Sequence, residues 1–242
     1  MLSIIIPVAN GRSAQNALAS LPHAGLSSED EILIIGDTHL PVLNIPELPA
    51  PVHLHKSASP GANTARNHGA AHAQNAILCF LDDDDAYLPQ ALQCLRTHIT
   101  QHPEQPVWCL DCQLLSGRRA PNAPDLLTES KLMARNLAGT CSSLVIRKAL
   151  FKTLNGFDPS LPSMQDWDFW LRISRITPIH VLRPPYILYT DTPTSRISTD
   201  KARQCQGLKA LYRKHSTTWP LPVRLFHHAR LLRIWIQQKT TA

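Results

Sequence analysis

Short apolar runs alternate with segments of helical composition along the first half of the chain. Residues 2–8, 31–35 and 76–81 are rich in β-branched and other apolar side chains, and each run is too short for a buried helix. Such runs predict buried strands. Residues 13–21 and 62–74 have helical composition and lie between these strands. Strands that alternate with helices indicate βαβ units, and therefore an α/β fold with a mainly parallel sheet.

The rest of the chain continues this alternation less regularly. Further strands are predicted at residues 52–55, 107–115, 142–146 and 186–190. Further helices are predicted at residues 90–102, 148–154, 165–176 and 201–215. Loops rich in proline, glycine or asparagine are predicted for the remainder of residues 38–60, 116–130 and 177–200. Together these elements predict a mixed, mainly parallel central sheet flanked by helices.

Acidic residues follow two of the predicted strands. Asp37 comes just after the second strand, and the run Asp82-Asp83-Asp84-Asp85 follows the third. Ligands of open α/β sheets bind beyond the carboxyl ends of the strands. These aspartates are therefore candidates for a binding site at that edge of the sheet.

Composition narrows the class of protein. The 242 residues are 43% hydrophobic and 17% charged, with a mean hydropathy of −0.15, which is typical of a globular protein and excludes collagen, coiled coil and wholesale disorder. No window approaches 18 apolar residues, so no membrane span is predicted. Six cysteines are too few for a disulfide scaffold, and the chain opens without a secretory signal pattern. We expect a cytoplasmic protein of bacterial type with reduced thiols.

The net charge of +6 favours anionic partners, namely nucleotides, nucleic acid or lipid headgroups. A nucleic-acid-binding protein is the rival interpretation from another functional class. The basic residues of this chain are dispersed, however, its aromatic residues are only 6%, and no nucleic-acid motif is present. The acid run would also repel a phosphate backbone, so we expect no nucleic-acid partner.

Four adjacent carboxylates at Asp82–Asp85 repel one another and raise one another's pKa. A divalent cation removes this conflict, because hard cations prefer carboxylate oxygens. The alternative is a solvated cap for the helix that follows Pro89, since acids at a helix start interact favourably with its dipole. Both interpretations stay open on composition alone.

Two further signals have the same ambiguity. Asp166 and Asp168 bracket a tryptophan at the start of a predicted helix, where a carboxylate serves either as a cap or as a general base. Gly61 opens another helix that carries Arg66. That arrangement suits either an anion contact or an ordinary surface arginine.

Five segments, in this order, resemble motifs of the family 2 glycosyltransferases, which have the GT-A fold. Residues 3–8 resemble the first strand, with Pro7 and Val8 at its nucleotide-sugar end, although Ala9 stands where the family has an aromatic residue. Asp37 matches the second acid of the Asp-Asp motif, which contacts the uracil base. Arg66 matches the arginine that faces the nucleotide.

The resemblance continues through the acid run and the later motifs. Residues 81–89 match Leu-Asp-x-Asp-Asp…Pro, which implies that Asp82 and Asp83 lie near the ribose and that Asp84 ligates the metal. Residues 156–168 resemble Gly-Phe-Asp…Glu-Asp-Trp-Asp, which places Asp166 at the catalytic base. The resemblance covers residues 2–198.

This resemblance implies a Rossmann-like GT-A sheet and an inverting, metal-dependent transfer with Mn²⁺ or Mg²⁺. A sugar would pass from a nucleotide-sugar, with UDP favoured, to a hydroxyl of a glycan or lipid-linked acceptor in bacterial surface polysaccharide synthesis. Residues 1–115 would form the nucleotide-sugar half and residues 116–198 the acceptor half of one domain. Residues 199–242 would form a helical, basic, amphipathic extension.

Three departures from the family pattern support an alternative. Gly36 replaces the first acid of the Asp-Asp motif, Gln165 replaces a glutamate, and Thr192 stands where many members have a histidine near the diphosphate or metal. The alternative is a catalytically impaired module that still binds nucleotide. Retention of both Asp84 and Asp166 argues against it.

The basic stretch at residues 223–238 predicts an amphipathic helix. Its apolar face carries Leu225, Phe226, Ala229, Leu232 and Ile236. Such a helix either lies peripherally on an anionic inner-membrane leaflet or packs on the domain, and the pattern does not decide between them.

A zinc site is not expected at the two closely spaced cysteines. Cys109 and Cys112, downstream of His98 and His102, superficially resemble a zinc set. The strand-like alternation around them would place the two thiols on opposite faces. The twelve histidines are scattered along the chain and are expected mostly at the surface.

Overall fold

The computed structural model describes residues 1–9, 14–37, 43–117, 123–191 and 200–240. The strands are β1 (Leu2–Val8), β2 (Glu31–Gly36), β3 (Val52–Lys56), β4 (Ile77–Phe80), β5 (Ala86–Tyr87), β6 (Val107–Leu114), β7 (Leu126–Leu127), β8 (Leu144–Arg147) and β9 (Ile179–Tyr189). The α-helices are α1 (Gln15–Ala24), α2 (Ala62–His72), α3 (Ala91–Gln101), α4 (Glu129–Leu132), α5 (Lys148–Thr153), α6 (Gln165–Ser174), α7 (Lys201–His215) and α8 (Leu221–Thr240).

These strands form one mixed sheet in the order β3-β2-β1-β4-β8-β6-β9-β5, with β7 paired to β9. The strands β1 to β4 pair in parallel. β8 is antiparallel to both β4 and β6, β6 is parallel to β9, and β5 and β7 are antiparallel to β9. The predicted mixed sheet is confirmed, but parallel pairing predominates only in the half built from β1 to β4.

Both faces of the central strands are buried. Ile5 and Ile35 point into the core beneath α2, whereas Ile4 and Ile34 point into the core beneath α1 and α3. A Cβ at Gly69 of α2 would lie 2.5 Å from Cγ2 of Ile5, so only glycine allows this close approach. The continuous apolar runs seen in the sequence follow from this two-sided covering.

Two elements extend beyond their predicted bounds. Helix α1 continues through Pro22 and ends only at Gly25, whose φ of 86° is the left-handed conformation that stops a helix. Strand β9 begins at Ile179 rather than near residue 186. Pro184 and Pro185 fall where its pairing with β6 jumps from Leu182 to Ile187, so no ladder hydrogen bond is required of them.

Three short elements were not predicted. The two-residue strands β5 and β7 and the four-residue helix α4 are too short to produce a hydrophobic period. β7 and the start of α4 lie in the loop predicted at residues 116–130, and β5 lies in the unassigned stretch before the helix predicted at residues 90–102. Each is held by pairing or packing against a distant element, which a local pattern does not encode.

Two tryptophans of α6 and two cysteines of β6 pack in the core. Trp167 and Trp170 are buried in the core, and Nε1 of Trp167 donates to the Leu132 carbonyl at 2.7 Å. Cys109 and Cys112 lie on β6 and point into the cores on opposite faces of the sheet. The argument against a zinc site at these cysteines is therefore confirmed.

The expected C-terminal helical extension consists of α7 and α8. Helix α8 packs on the domain through His227, Leu231 and Ile234, and Nε2 of His227 lies 2.8 Å from the Met133 carbonyl oxygen. The predicted apolar face points away from the domain: Leu225, Phe226 and Leu232 are 60%, 52% and 57% exposed. Helix α8 therefore packs on the domain, but through residues other than these three, and the side chain of Ile236 lies outside the described part of the chain. None of the helices in the described ranges combines the length and the apolar composition needed to cross a membrane.

Candidate active site

A cleft of about 630 Å³ opens at the carboxyl ends of β1, β2 and β4. It brings together every predicted site residue: Pro7, Val8, Asp37, Arg66, Asp82, Asp83, Asp84 and Asp166. It is also lined by residues without a predicted role: Ala9, Gly61, Ala62, Ala65, Thr140, Cys141, Ser163, Met164, Gln165, Tyr189, Arg203 and Gln204. Segments up to 197 residues apart in sequence, from Pro7 to Gln204, thus meet at one edge of the sheet.

Asp37 fixes the turn that leads into α2. Its backbone N–H donates to the Val8 carbonyl at 3.1 Å, which continues the β1–β2 pairing by one residue. Its Oδ1 accepts from the Gly61 N–H at 2.7 Å. Gly61 has a φ of 117°, a conformation that favours glycine. The side chain of Asp37 therefore holds the start of α2 against the end of β2.

Arg66 is a buried cation, not a surface arginine. Its side chain is 4% exposed, and its Nη2 pairs with Asp82 at 2.5 Å. Burial opposes its charge, but the Asp82 carboxylate more than offsets this and raises the pKa of Arg66. Within the described residues its buried Nε has no hydrogen-bond partner. The surface alternative considered for Arg66 is thus wrong.

The motif around Arg66 contacts the Gly-Phe-Asp motif directly. Asn67 accepts from the Phe157 N–H and donates to the Phe157 carbonyl, both at 2.8 Å. A Cβ at Gly156 would lie 2.4 Å from Oδ1 of Asn67, and Gly156 has a φ of 64°. Asn63 similarly donates to the Asp158 carbonyl at 2.8 Å. These contacts hold α2 against the segment that precedes α6.

The acid run does not cap a helix. Helix α3 begins at Ala91, has no acidic residue in its first turn and is preceded by the short strand β5. Asp83 is buried and accepts from the Ala9 N–H at 3.3 Å, which ties the acid run to the end of β1. Asp84 is half-buried and lines the cleft. The capping interpretation is therefore wrong.

Asp85 has a different environment from its three neighbours. Its Oδ2 accepts from Ser142 at 2.6 Å, and its Oδ1 accepts from the Thr190 N–H at 3.1 Å. Burial, together with Asp82 and Asp84, raises its pKa to about 7. Asp85 is outside the residues that line the cleft. It braces the acid run against β9 and the turn at Ser142.

Asp166 lies in the first turn of α6, after Met164 with a φ of 63°. Its Oδ1 accepts from the Trp167 N–H at 2.8 Å, and its Oδ2 accepts from Nδ2 of Asn136 at 3.0 Å. Burial raises its pKa to about 6, although the Trp167 N–H and the Arg66 charge partly oppose this. The result is an oriented carboxylate whose proton affinity is poised near neutrality.

Asp168 is separate from the cleft despite its position in the same motif. It is fully buried and bonded to Nε2 of His215 at 2.8 Å, to Arg172 at 2.9 Å and to Lys214 at 2.9 Å. Burial alone would raise its pKa, but these partners lower the pKa below its ordinary value. Asp168 therefore joins α6 to α7 and is a structural group.

The cleft carries an excess of negative charge. Five aspartates and two arginines line it, namely Asp37, Asp82, Asp83, Asp84, Asp166, Arg66 and Arg203, so its formal charge is 2 − 5 = −3 with all carboxylates ionised. An anion such as the nucleotide-sugar that the motif resemblance implies would need compensating positive charge to bind here. Asp84, with Asp82 and Asp83 beside it, offers the carboxylate oxygens that a hard divalent cation prefers.

Several site residues were missed by sequence reasoning. Asn136 and Ser142 act through hydrogen bonds to Asp166 and Asp85, and neither belongs to a recognised motif. Arg203 and Gln204 come from α7, which was assigned to the extension. A basic residue near the start of an amphipathic helix was the only available signal for Arg203. Thr192 lies outside the described residues.

Comparisons with known proteins identify the family of the chain. Residues 3–110 match the family model described as Glycosyl transferase family 2, and residues 120–241 match that described as Glycosyltransferase like family 2. An uncharacterized glycosyltransferase of Haemophilus influenzae is 27% identical over 212 residues, which cover 83% of this chain and 72% of that protein. One of Rickettsia felis is 25% identical over 198 residues, but this chain spans only 32% of its length.

The fold also matches solved structures. S. aureus TarS 1-349 in complex with UDP-GlcNAc superposes with a TM-score of 0.63 at 17% identity, covering 96% of this chain and 81% of that one. Another S. aureus TarS structure gives a TM-score of 0.65 at 19% identity, with 96% of this chain and 42% of that chain covered. The chain belongs to glycosyltransferase family 2: it is a glycosyltransferase with the GT-A fold.

Proposed function

We propose that this enzyme transfers a sugar from a UDP-sugar to a hydroxyl of a glycan or lipid-linked acceptor, with inversion and with a bound divalent metal ion. The observation that carries the proposal is the convergence of five separated motifs on one cleft, with Asp166 oriented at its wall. The UDP-GlcNAc complex of the structurally similar TarS supports a uridine nucleotide as the donor.

The donor would lie along the carboxyl ends of β1, β2 and β4. Pro7 and Val8 provide the apolar floor at the end of β1, and Asp37 offers a carboxylate acceptor for the N–H of the uracil base. Asp82 and Asp83 lie beyond β4, where they accept from the ribose hydroxyls. Arg66 holds Asp82 in place and adds positive charge behind it.

The acid cluster fits Mn²⁺ or Mg²⁺, with Asp84 as the protein ligand. The fit rests on the donor set and on the formal charge of −3 in a cleft that must accept an anion. When bound, the ion offsets negative charge on the departing diphosphate. The cation Arg203 lines the same cleft, on α7, and adds positive charge from the protein side.

Asp166 would act as the general base. It takes the proton from the acceptor hydroxyl while that oxygen attacks the anomeric carbon from the face opposite the diphosphate. A pKa of about 6 leaves the carboxylate ionised at neutral pH and still basic enough to accept a proton. Asn136 and the Trp167 N–H fix its orientation, so that its free lone pairs point in a defined direction.

The exposed face of α8 supports a membrane-associated acceptor, as in bacterial surface polysaccharide synthesis. Leu221, Leu225, Phe226 and Leu232 are all more than half exposed, and the exposed Arg224 and Arg233 lie on the same helix. Apolar residues with basic neighbours suit peripheral docking on an anionic leaflet. Phe226→Asp should abolish co-sedimentation with anionic vesicles, whereas the exposed control Ile176→Asp should retain it. Equal binding by both variants would refute the docking face.

Release of UDP from a panel of UDP-sugars tests the transfer itself. The assay contains Mn²⁺ and a bacterial membrane extract as the source of acceptors. We expect release with at least one donor, and a loss of at least about 100-fold in Asp166→Asn, because a positioned base contributes 10²–10⁴-fold. The exposed control Asp125→Asn should keep the wild-type rate. Equal rates in Asp166→Asn and wild type would refute the assignment of the base.

A further inference from the structure

Three histidines outside the active site meet between β3 and α2. His55 lies on β3, and His68 and His72 lie one turn apart on α2. One ligand nitrogen from each ring lies within 4.8 Å of the other two. The ring of His72 is centred 4.6 Å from that of His55 and 4.3 Å from that of His68. We refer to these three residues as the histidine cluster.

The backbone presents the three side chains to one another. Residues four apart on a helix lie on the same face, so His68 and His72 both point toward the sheet edge. His55 pairs with Ile35 of β2, and Ile35 packs beneath α2. His55 therefore faces the same helix from the edge strand. A helical pair with a four-residue spacing and a third histidine from elsewhere is a common metal-binding arrangement.

A hydrogen bond sets the tautomer of one ring. Nδ1 of His72 lies 2.9 Å from the His68 carbonyl oxygen. A carbonyl only accepts, so Nδ1 carries a proton, and in the neutral ring Nε2 keeps the lone pair that binds a metal. Donation of the second ring nitrogen to a carbonyl is also the usual environment of a metal-binding histidine.

The environment of His55 and His68 favours the neutral form of both rings. Burial and the neighbouring imidazoles lower the pKa of both His55 and His68. The carboxylate of Glu31 lies 4.0 Å from Nε2 of His53, a neighbouring histidine outside the cluster. Neutral imidazoles close together are the form that coordinates a metal.

We propose that the histidine cluster binds a divalent transition metal of the class that prefers imidazole, with Zn²⁺ as its representative. Zn–N bonds of about 2.0–2.1 Å place tetrahedral ligand nitrogens about 3.4 Å apart. The nitrogens must therefore approach one another by as much as about 1.4 Å, which rotation of the exposed His72 side chain allows. Three protein ligands leave the fourth position to water.

This site differs from the acid cluster in position and in chemistry. Carboxylates at Asp84 suit hard cations, whereas imidazoles suit zinc, copper and nickel. β3 and α2 lie on either side of the segment that ends at Gly61, and α2 carries Arg66. The metal would therefore link the two elements that position these residues of the cleft. It would stabilise the nucleotide side of the cleft without contacting the donor.

Calorimetric titration of Zn²⁺ into the untagged, chelator-treated protein tests the proposal. We expect one site in the wild type, and a loss of affinity of at least about 100-fold in His68→Gln and in His72→Gln, since even outer partners of a ligand contribute 10–100-fold. The exposed control His23→Gln should bind as the wild type does. Zn²⁺ should also raise the melting temperature of the wild type and not that of His72→Gln.

Two further results separate this site from the proposed donor site. Asp84→Asn should retain Zn²⁺ binding, because Asp84 is outside the histidine cluster. Loss of Zn²⁺ binding in Asp84→Asn with retention in His72→Gln would place the ion at the acid cluster and overturn the inference. Absence of a binding isotherm in the folded wild type would also overturn it, whether or not the protein transfers sugar.

Discussion

Removal of the Asn136 amide should shift the pH at which the enzyme becomes active. Nδ2 of Asn136 donates to Oδ2 of Asp166 at 3.0 Å and stabilises the ionised carboxylate. A hydrogen bond to a charged group contributes about 1.5–3 kcal/mol, and one pKa unit corresponds to about 1.4 kcal/mol. Because water replaces part of the lost bond, we expect Asn136→Ala to raise the pKa of Asp166 by about one unit.

The sign follows from the proposed role of the base. Asp166, with a pKa of about 6, must be ionised to accept a proton, so kcat/KM falls as the pH drops below about 6. In Asn136→Ala this acid limb should move toward about pH 7, by the one-unit shift expected for the lost hydrogen bond. The assay is kcat/KM for UDP release, measured from pH 5 to pH 9.

A second variant separates the electrostatic effect from a structural one. Asn136→Asp keeps an acceptor for the Ala138 N–H, which lies 3.1 Å from Oδ1 of Asn136, but replaces the donor by a like charge. Its acid limb should move further than that of Asn136→Ala. Acid limbs at the wild-type pH in both variants would refute the hydrogen-bond argument, and an unchanged limb in Asp166→Asn would refute the base.

The other predictions concern separate contacts. Asp37→Ala should weaken UDP binding about tenfold and reduce the preference for UDP over GDP, both measured by calorimetry. The reason is that it removes the acceptor at the end of β2 and releases Gly61. An unchanged preference would contradict a uracil contact. Gly156→Ala should lower the free energy of unfolding in urea by about 2–3 kcal/mol, because it adds a clash with Asn67 to an unfavourable φ. Gly117 has a φ of 75° and open space around it, so Gly117→Ala should lower this free energy by only about 1 kcal/mol. Equal losses in the two glycine variants would show that the contact with Asn67 is unimportant. Asp168→Asn should lower the free energy of unfolding by about 3 kcal/mol, because it leaves His215, Arg172 and Lys214 around a neutral group; a loss below about 1 kcal/mol would mean that the network is solvated.

The central strands, and the acidic residues that follow them, could be predicted from sequence because the signals for both are local. Buried runs such as Leu2–Val8 have a distinctive composition, and the carboxyl ends of parallel strands necessarily share one edge of the sheet. Asp37 and Asp84 could therefore be assigned to one site from their positions after the strands alone. Gly156 was likewise visible just after the helix predicted at residues 148–154, although its contact with Asn67 was not.

The remaining features depend on contacts between distant segments. Pro184 and Pro185 indicated a loop, but they occupy the register jump of β9, which only the pairing with β6 reveals. Asn136 contacts Asp166 across 30 residues. The histidines were expected to be scattered on the surface, yet His215 and His227 are buried and three others form the histidine cluster. Sequence spacing alone does not bring residues such as His55 and His68 together.

Calorimetric titration of UDP, with Mn²⁺ and then with EDTA, tests the central claim most directly. The claim is that the acid-lined cleft binds a uridine nucleotide together with a divalent ion. We predict binding that requires Mn²⁺, that is at least about tenfold weaker in Asp84→Asn, and that is unchanged in the exposed control Asp125→Asn. Equal UDP affinity with Mn²⁺ and with EDTA, or equal affinity in Asp84→Asn and the wild type, would contradict it.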